Sequence, residues 1–139
     1  GTSCPFELIG APWIEAPKLA RYLTAKNLPG VLFTPAWFTP TASKHAGCAC
    51  QGVQLHVRDA RAFEPVRTGV ELLDAVRTLY PEQFAFLPPH REGGRPFISL
   101  LSGCADFENP NWNKDALLER FYQESAAFAQ RKQAFQLYE

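Results

Sequence analysis

The chain has 139 residues, 46% hydrophobic and 20% charged, with 14 Lys and Arg balanced by 14 Asp and Glu. That length fits a single domain with a substantial core, and that composition belongs to a folded chain rather than a disordered one. The charge balance argues against nucleic acid or an anionic membrane surface as a partner held by bulk charge, and no apolar run approaches the roughly 20 residues that would insert across a bilayer.

The first helical signal covers residues 16–27. Pro17 suits a first turn, Leu19, Tyr22, Leu23 and Lys26 recur at three- and four-residue spacing, and Leu28-Pro29-Gly30 stops the helix. Residues 30–33 then form an apolar strand. Residues 53–58 alternate, with Val53, Leu55 and Val57 on one face and Gln54, His56 and Arg58 on the other, as in a half-buried strand. Between the two lies a long polar loop, residues 38–51, dense in Thr, Ser, Lys, His, Gly and Cys and opened by Trp37 and Phe38. Loops of this length are uncommon in compact domains unless functional or disordered. One that combines aromatic, hydroxyl, cationic and imidazole groups reads as a surface for a polar ligand.

Residues 59–65 read as a loop. Thr68 and Glu71 match a T-x-x-E capping box, which satisfies free amides at a helix start. The helix that follows presents Val70, Leu73 and Val76 on one face, broadened by Leu72 and Leu79, and ends at Tyr80-Pro81. Residues 84–87 are a short apolar run, either strand or helix end. Residues 88–96 have proline and glycine at both ends and read as a surface insertion, or a lid. Residues 97–101 form a short helical or extended piece closed by Gly103. A last helix starts near Asn113, with Asp115 favoured in its first turn by the helix dipole. Leu117, Phe121, Glu124 and Phe128 fall at helical spacing, with Glu124 at the edge of the stripe and Leu118, Tyr122 and Ala126 widening it. Residues 134–138 read as a short closing strand. The whole is α+β: a small mixed or antiparallel sheet, covered mainly on one face by about three helices, with the long polar loop between two strands.

The chain holds 4 cysteines. Cys48 and Cys50 are too close to bridge each other without strain. Cys4 and Cys104 can pair with them, with each other, or stay as buried thiols, and the spacing does not choose. His45, Cys48 and Cys50 form H-x2-C-x-C, with His56, His90 and Cys104 as further donors. This lacks the paired spacing of zinc sites, so no metal is expected. Cys48 or Cys50 beside His45 lacks the third, orienting group that a nucleophile needs.

Four motifs in order carry a family resemblance: GAPW at residues 10–13, LPGVLF at 28–33, FTPTASK at 38–44 and CQGVQLHVRD at 50–59. Together they resemble the C-terminal domain of the NamZ (DUF1343) family of exo-β-N-acetylmuramidases, glycoside hydrolases of peptidoglycan fragments in bacterial cell-wall recycling. Residues 63–84, LLSG at 100–103 and the closing FAQRKQAFQLY agree more loosely. In that closing segment Lys132 occupies the family's Arg slot and Phe135 replaces its first Tyr, and the segment reads as packing. His45 stands where the family more often has Tyr.

The resemblance implies a single domain over residues 1–139, the second of a longer enzyme whose Rossmann-like N-terminal domain is missing here. The chain has no Met and opens without a signal-like segment, as a processed or excised domain would. A periplasmic or secreted bacterial setting is implied by the family. Glycoside hydrolysis usually needs two carboxyl groups about 5 to 9.5 Å apart. Glu7, Glu15, Asp59, Glu64 and Asp106 are available, but no pattern singles one out, and the family's expected catalytic segments lie in the missing domain. Catalytic residues are therefore unassigned, no cofactor is implied, and the isolated chain is expected to be inactive.

Its expected part is one wall of a sugar cleft. Trp13, Trp37 and Phe38 would stack on a pyranose ring or acyl group. Thr39, Thr41, Ser43, His45 and Gln51 would hydrogen-bond, and Lys44 would pair with the lactyl carboxylate of N-acetylmuramic acid. The partners are then a peptidoglycan-derived sugar or muropeptide and the N-terminal domain of the same protein. The alternatives are a non-catalytic module that binds cell-wall glycan or muropeptide, and a structural or oligomerisation domain.

Overall fold

In the computed structural model, which describes residues 1–137, a three-stranded antiparallel sheet of order β1-β3-β2 underlies the first half of the chain. The strands are β1 (Leu8–Ala11), β2 (Val31–Phe38) and β3 (Cys50–Val57). The helices are α1 (Ala16–Ala25), α2 (Pro65–Leu79), α3 (Phe97–Ser102) and α4 (Lys114–Lys132). Single 3-10 turns occupy Asp106–Glu108 and Gln133–Phe135. The fold is α+β. The chain forms two compact units, Gly1–Ala85 and Phe86–Glu139.

In the first unit, one face of the sheet is the core. Ile9 pairs with Val53, and Val53 with Pro35; Leu55 pairs with Phe33. Directly opposed residues share a face, so these side chains line up together. Leu19 and Leu23 of α1 pack on them fully buried, and Leu72, Ala75, Val76 and Tyr80 close the same cluster. The other face carries Thr34, Gln54 and His56 among Leu8, Leu32 and Phe38; Thr34 Oγ1 and His56 Nε2 lie 2.9 Å apart. No helix of this unit covers it.

Two strand features depend on single residues. Gly10 and Gly52 face each other across β1 and β3. A methyl group on Gly52 would stand 2.6 Å from the Gly10 Cα and run into the Ile9 carbonyl oxygen, so the two strands approach too closely for a side chain there. Pro35 sits inside β2, the edge strand. The Arg58 amide donates to the Gly30 carbonyl at 2.8 Å, which makes the even-numbered residues of β2 the hydrogen-bonded set. The odd ones, Pro35 included, turn their backbone groups to the free edge, where a missing N–H breaks no ladder bond.

This explains why β2 runs beyond the expected residues 30–33, and why the loop is shorter than expected, residues 39–49. β1 lies in a segment that the sequence pattern left unassigned. The capping-box expectation at Thr68 and Glu71 is corrected. Pro65 starts α2 a turn earlier, with Glu64 at the N-cap, and both Thr68 and Glu71 lie on the buried face. Glu71 meets Lys26 Nζ at 3.5 Å, which ties α2 to the end of α1. Residues 84–87 are neither strand nor helix.

In the second unit, α3 closes at Gly103, as expected, and the structure puts this glycine in the left-handed conformation. Asn113 caps α4, accepting the Ala116 amide at 3.0 Å. Phe107 and Trp112 are buried edge to face, with ring centroids 4.9 Å apart, beside the buried Leu117 and Leu118. The closing strand expected over residues 134–138 is replaced through residue 135 by the 3-10 turn, with Phe135 exposed; Tyr138 lies outside the described residues.

Candidate functional site

The topology gathers the expected site residues at one end of the sheet. β1 and β2 both run into that end and β3 starts from it. Trp13 follows β1, Trp37 and Phe38 finish β2, residues 39–49 form the loop, and Gln51 is the second residue of β3.

The strand pleat then separates them. Trp37 is opposite Gln51 and shares the helix-covered face, while Phe38 is opposite Cys50 and turns to the other side. Trp37 is 63% exposed and projects past the core. The Phe38 ring tip lies 2.9 Å from where a Gly10 Cβ would be, so it lies over the glycine pair. Trp13 packs on the core edge, edge to face with Tyr80 at 5.5 Å between centroids. The Gln51 side-chain oxygen accepts the Ala16 amide at 3.3 Å and so caps α1, whose own N-cap residue Glu15 makes no side-chain cap. Of the three aromatic residues expected to stack on a sugar, Trp37 presents the most open surface.

The loop itself is exposed throughout residues 41–49, including Ser43, Lys44 and His45; Thr39 is exposed as well. It is tied at several points. The Gly47 amide donates to the Pro40 carbonyl at 2.8 Å and the Cys48 amide to the His45 carbonyl at 2.9 Å. Thr41 donates its amide and its hydroxyl to the Gly1 carbonyl, at 2.7 and 3.1 Å.

Ser43, His45 and Gly47 all have positive φ, 64°, 57° and 76°. A left-handed backbone costs a side-chain-bearing residue roughly 1–2 kcal/mol. Alternation of handedness is also how successive amides are turned into an anion-receiving hollow. Among the described residues, the amides of Ser43, Lys44 and His45 donate to no acceptor, and Lys44 has no carboxylate partner.

The carboxylates considered for hydrolysis are each engaged. Glu7 accepts from Gln54 at 3.4 Å, Glu15 pairs with Lys18 at 3.7 Å, and Glu64 with Arg67 at 3.1 Å. Asp59 accepts the Arg61 and Ala62 amides. In the second unit, Asp106 pairs with Arg120 at 2.6 Å. Burial pushes the Asp106 carboxyl up, but hydrogen bonds from Cys104 and Arg120 and the Arg120 charge together hold it below its ordinary range.

All four cysteines are free thiols. Burial, with Cys48 nearby, pushes the Cys50 thiol up, away from the nucleophilic thiolate. Among the described residues, no group of three His, Cys, Asp or Glu is placed to hold a metal. Among the described residues, no helix is long and apolar enough to cross a membrane.

Tyr80 is a contributor that sequence reasoning took only for a helix stop. Its hydroxyl accepts the Glu15 amide at 2.9 Å and holds the segment after β1 in place. No sequence signal marks this bond, which joins residues 65 positions apart.

A small sheet whose one end carries a polar loop with free amides beside an open tryptophan is the candidate ligand surface of an α+β domain. The chain belongs to the family described as exo-β-N-acetylmuramidase NamZ, C-terminal, which it matches over residues 1–138. It is 53% identical over 87 residues to the peptidoglycan β-N-acetylmuramidase NamZ of Bacillus subtilis (strain 168); the match covers 63% of this chain and 21% of that protein. Its structure is similar to that of a DUF1343 family protein of Bacteroides fragilis NCTC 9343, with a TM-score of 0.81 and 28% identity, covering 97% of this chain and 36% of that one.

Proposed function

We propose that this chain is the substrate-facing domain of a peptidoglycan-fragment glycosidase that removes terminal N-acetylmuramic acid, with the chemistry supplied by a preceding domain. Loop 39–49 receives the lactyl carboxylate on the Lys44 ammonium and the amides of Ser43, Lys44 and His45. Trp37 offers its open ring to the sugar, and Thr39 lines the approach. The observation that carries this reading is the pairing of an unengaged cation with unengaged amides at the sheet end where Trp37 is exposed.

The test is turnover of a chromogenic β-N-acetylmuramic acid glycoside by the chain alone and by the chain joined to its N-terminal domain. Activity is expected in the joined form only, and Lys44→Ala should raise KM about tenfold or more, the scale of a lost charge-assisted hydrogen bond. A joined form without turnover overturns the reading.

A further inference from the structure

Residues 41–49 of the loop are all exposed, so no buried side chain fixes their shape. A left-handed backbone at Ser43 and His45 is unfavourable for residues that carry side chains, and it persists only where the surroundings hold it. The bonds from Ala46 to Ser43, Gly47 to Pro40 and Cys48 to His45 tie the loop to itself and close its turns. Among the described residues, the hydrogen bonds that join the loop to a segment outside it and its two strands end on one atom. The Gly1 carbonyl oxygen accepts both the amide and the hydroxyl of Thr41, at 2.7 and 3.1 Å. Two donors occupy both lone pairs of that carbonyl.

The contact is also selective for glycine. A methyl group on Gly1 would run into the Ala42 carbonyl oxygen, and would stand 2.9 Å from the Ala42 carbonyl carbon and 3.1 Å from its amide nitrogen. These are backbone atoms, so the loop itself would have to give way. The segment that carries Gly1 is held at its other end as well. The Glu7 and Leu8 amides both donate to the Cys4 carbonyl at 3.4 Å, and the Glu7 carbonyl accepts the Leu55 amide of β3 at 2.9 Å. An end segment without such ties is ordinarily loose.

We propose that Gly1 is a positioning residue for the ligand-receiving loop. Its carbonyl holds Thr41, two residues ahead of the first free amide at Ser43, and its missing side chain lets the Ala42 backbone lie against it. This role rests on the reading of the loop as the carboxylate-receiving surface. It also takes the Thr41 hydroxyl proton out of the set offered to a sugar, because that proton is committed to Gly1.

In the 139-residue chain, Gly1→Ala should speed Thr41 amide exchange at least ~10-fold and shift the amide resonances of Ser43 to Gly47, while exchange at the buried Val53 stays as it is. Thr41→Ser keeps both donors and should match the unaltered chain; Thr41→Val keeps only the amide and should fall between. Unchanged loop exchange and resonances in Gly1→Ala overturn the clasp. In the form joined to the N-terminal domain, Gly1→Ala and Thr41→Val should each raise KM for the chromogenic β-N-acetylmuramic acid glycoside about fivefold at unchanged kcat, the scale of one ordinary hydrogen bond. A loosened loop with unchanged KM overturns the positioning role. Absence of turnover in the unaltered joined form overturns the reading of the loop and the positioning role with it, while the exchange measurements still decide the clasp.

Discussion

The side-chain oxygen of Gln51, the second residue of β3, accepts a hydrogen bond from the backbone amide of Ala16, at the start of α1, across 3.3 Å. One residue therefore closes the polar loop and begins the first helix. An amide at a helix N-terminus has no intrahelical acceptor, and Glu15, the N-cap residue, does not supply one. The loop end and the helix start are thereby held together, and Trp13 is set between them against Tyr80.

Gln51→Ala should lower stability by about 1 kcal/mol, the usual effect of losing an N-cap. The loss should appear first in the exchange rates of the Ala16, Lys18 and Leu19 amides. Thermal unfolding and exchange on the same variant check it; an unchanged midpoint would show that water replaces the amide oxygen without penalty.

Gly52→Ala should be among the most damaging single changes. The added methyl meets backbone on the adjacent strand, which cannot move without breaking the β1–β3 pairing. A loss of more than about 4 kcal/mol, or no soluble product, is expected. Gly69→Ala, a position with open space inside α2, serves as the comparison and should be neutral or mildly stabilising.

His45→Gly relieves a left-handed backbone at φ 57°. The relief of roughly 1–2 kcal/mol is partly offset by the glycine's own flexibility in the unfolded chain, leaving a gain of about 0.5–1 kcal/mol. A denaturant midpoint that shifts downward would mean that the imidazole, not the backbone, determines this position.

Asp106 and Arg120 make stability depend on pH in the acid range. The folded carboxyl titrates below its ordinary value of 3.8, so the folded state is favoured above that value, and the advantage is lost as pH falls through the lower folded value. Both side chains are more than a third exposed, so solvent screens the pair and its contribution is small. Asp106→Asn should flatten the stability profile below about pH 4. Added salt should flatten the wild-type profile in the same direction.

Local signals in the sequence were read reliably. The alternation of β3, the stop at Leu28-Pro29-Gly30, the Asn113 start of α4 and the close of α3 at Gly103 are all short-range physics, and each appears as expected. Expectations failed where a distant partner decides. β1 has only four residues, one of them the glycine that β3 requires, so it lacks the alternation that marks a strand. Pro35 reads as a strand end until β2 is seen to be the edge. The T-x-x-E of Thr68 and Glu71 is a sound cap pattern that Pro65 pre-empted. At the site, the chain segment was legible, but the pleat that sends Trp37 and Phe38 to opposite faces was not, because the strand was expected to end at Phe33.

The proline in β2 has a bearing on how this protein behaves in a crowded solution. The free edge of β2 offers carbonyls at Val31, Phe33, Pro35 and Trp37, but its run of donors is interrupted at the middle. A second strand laid along it would find an unanswered acceptor halfway and a ring in its path. This edge is thus poorly suited to strand addition, and concentrated preparations should resist fibrillar growth from it even where other surfaces remain adhesive.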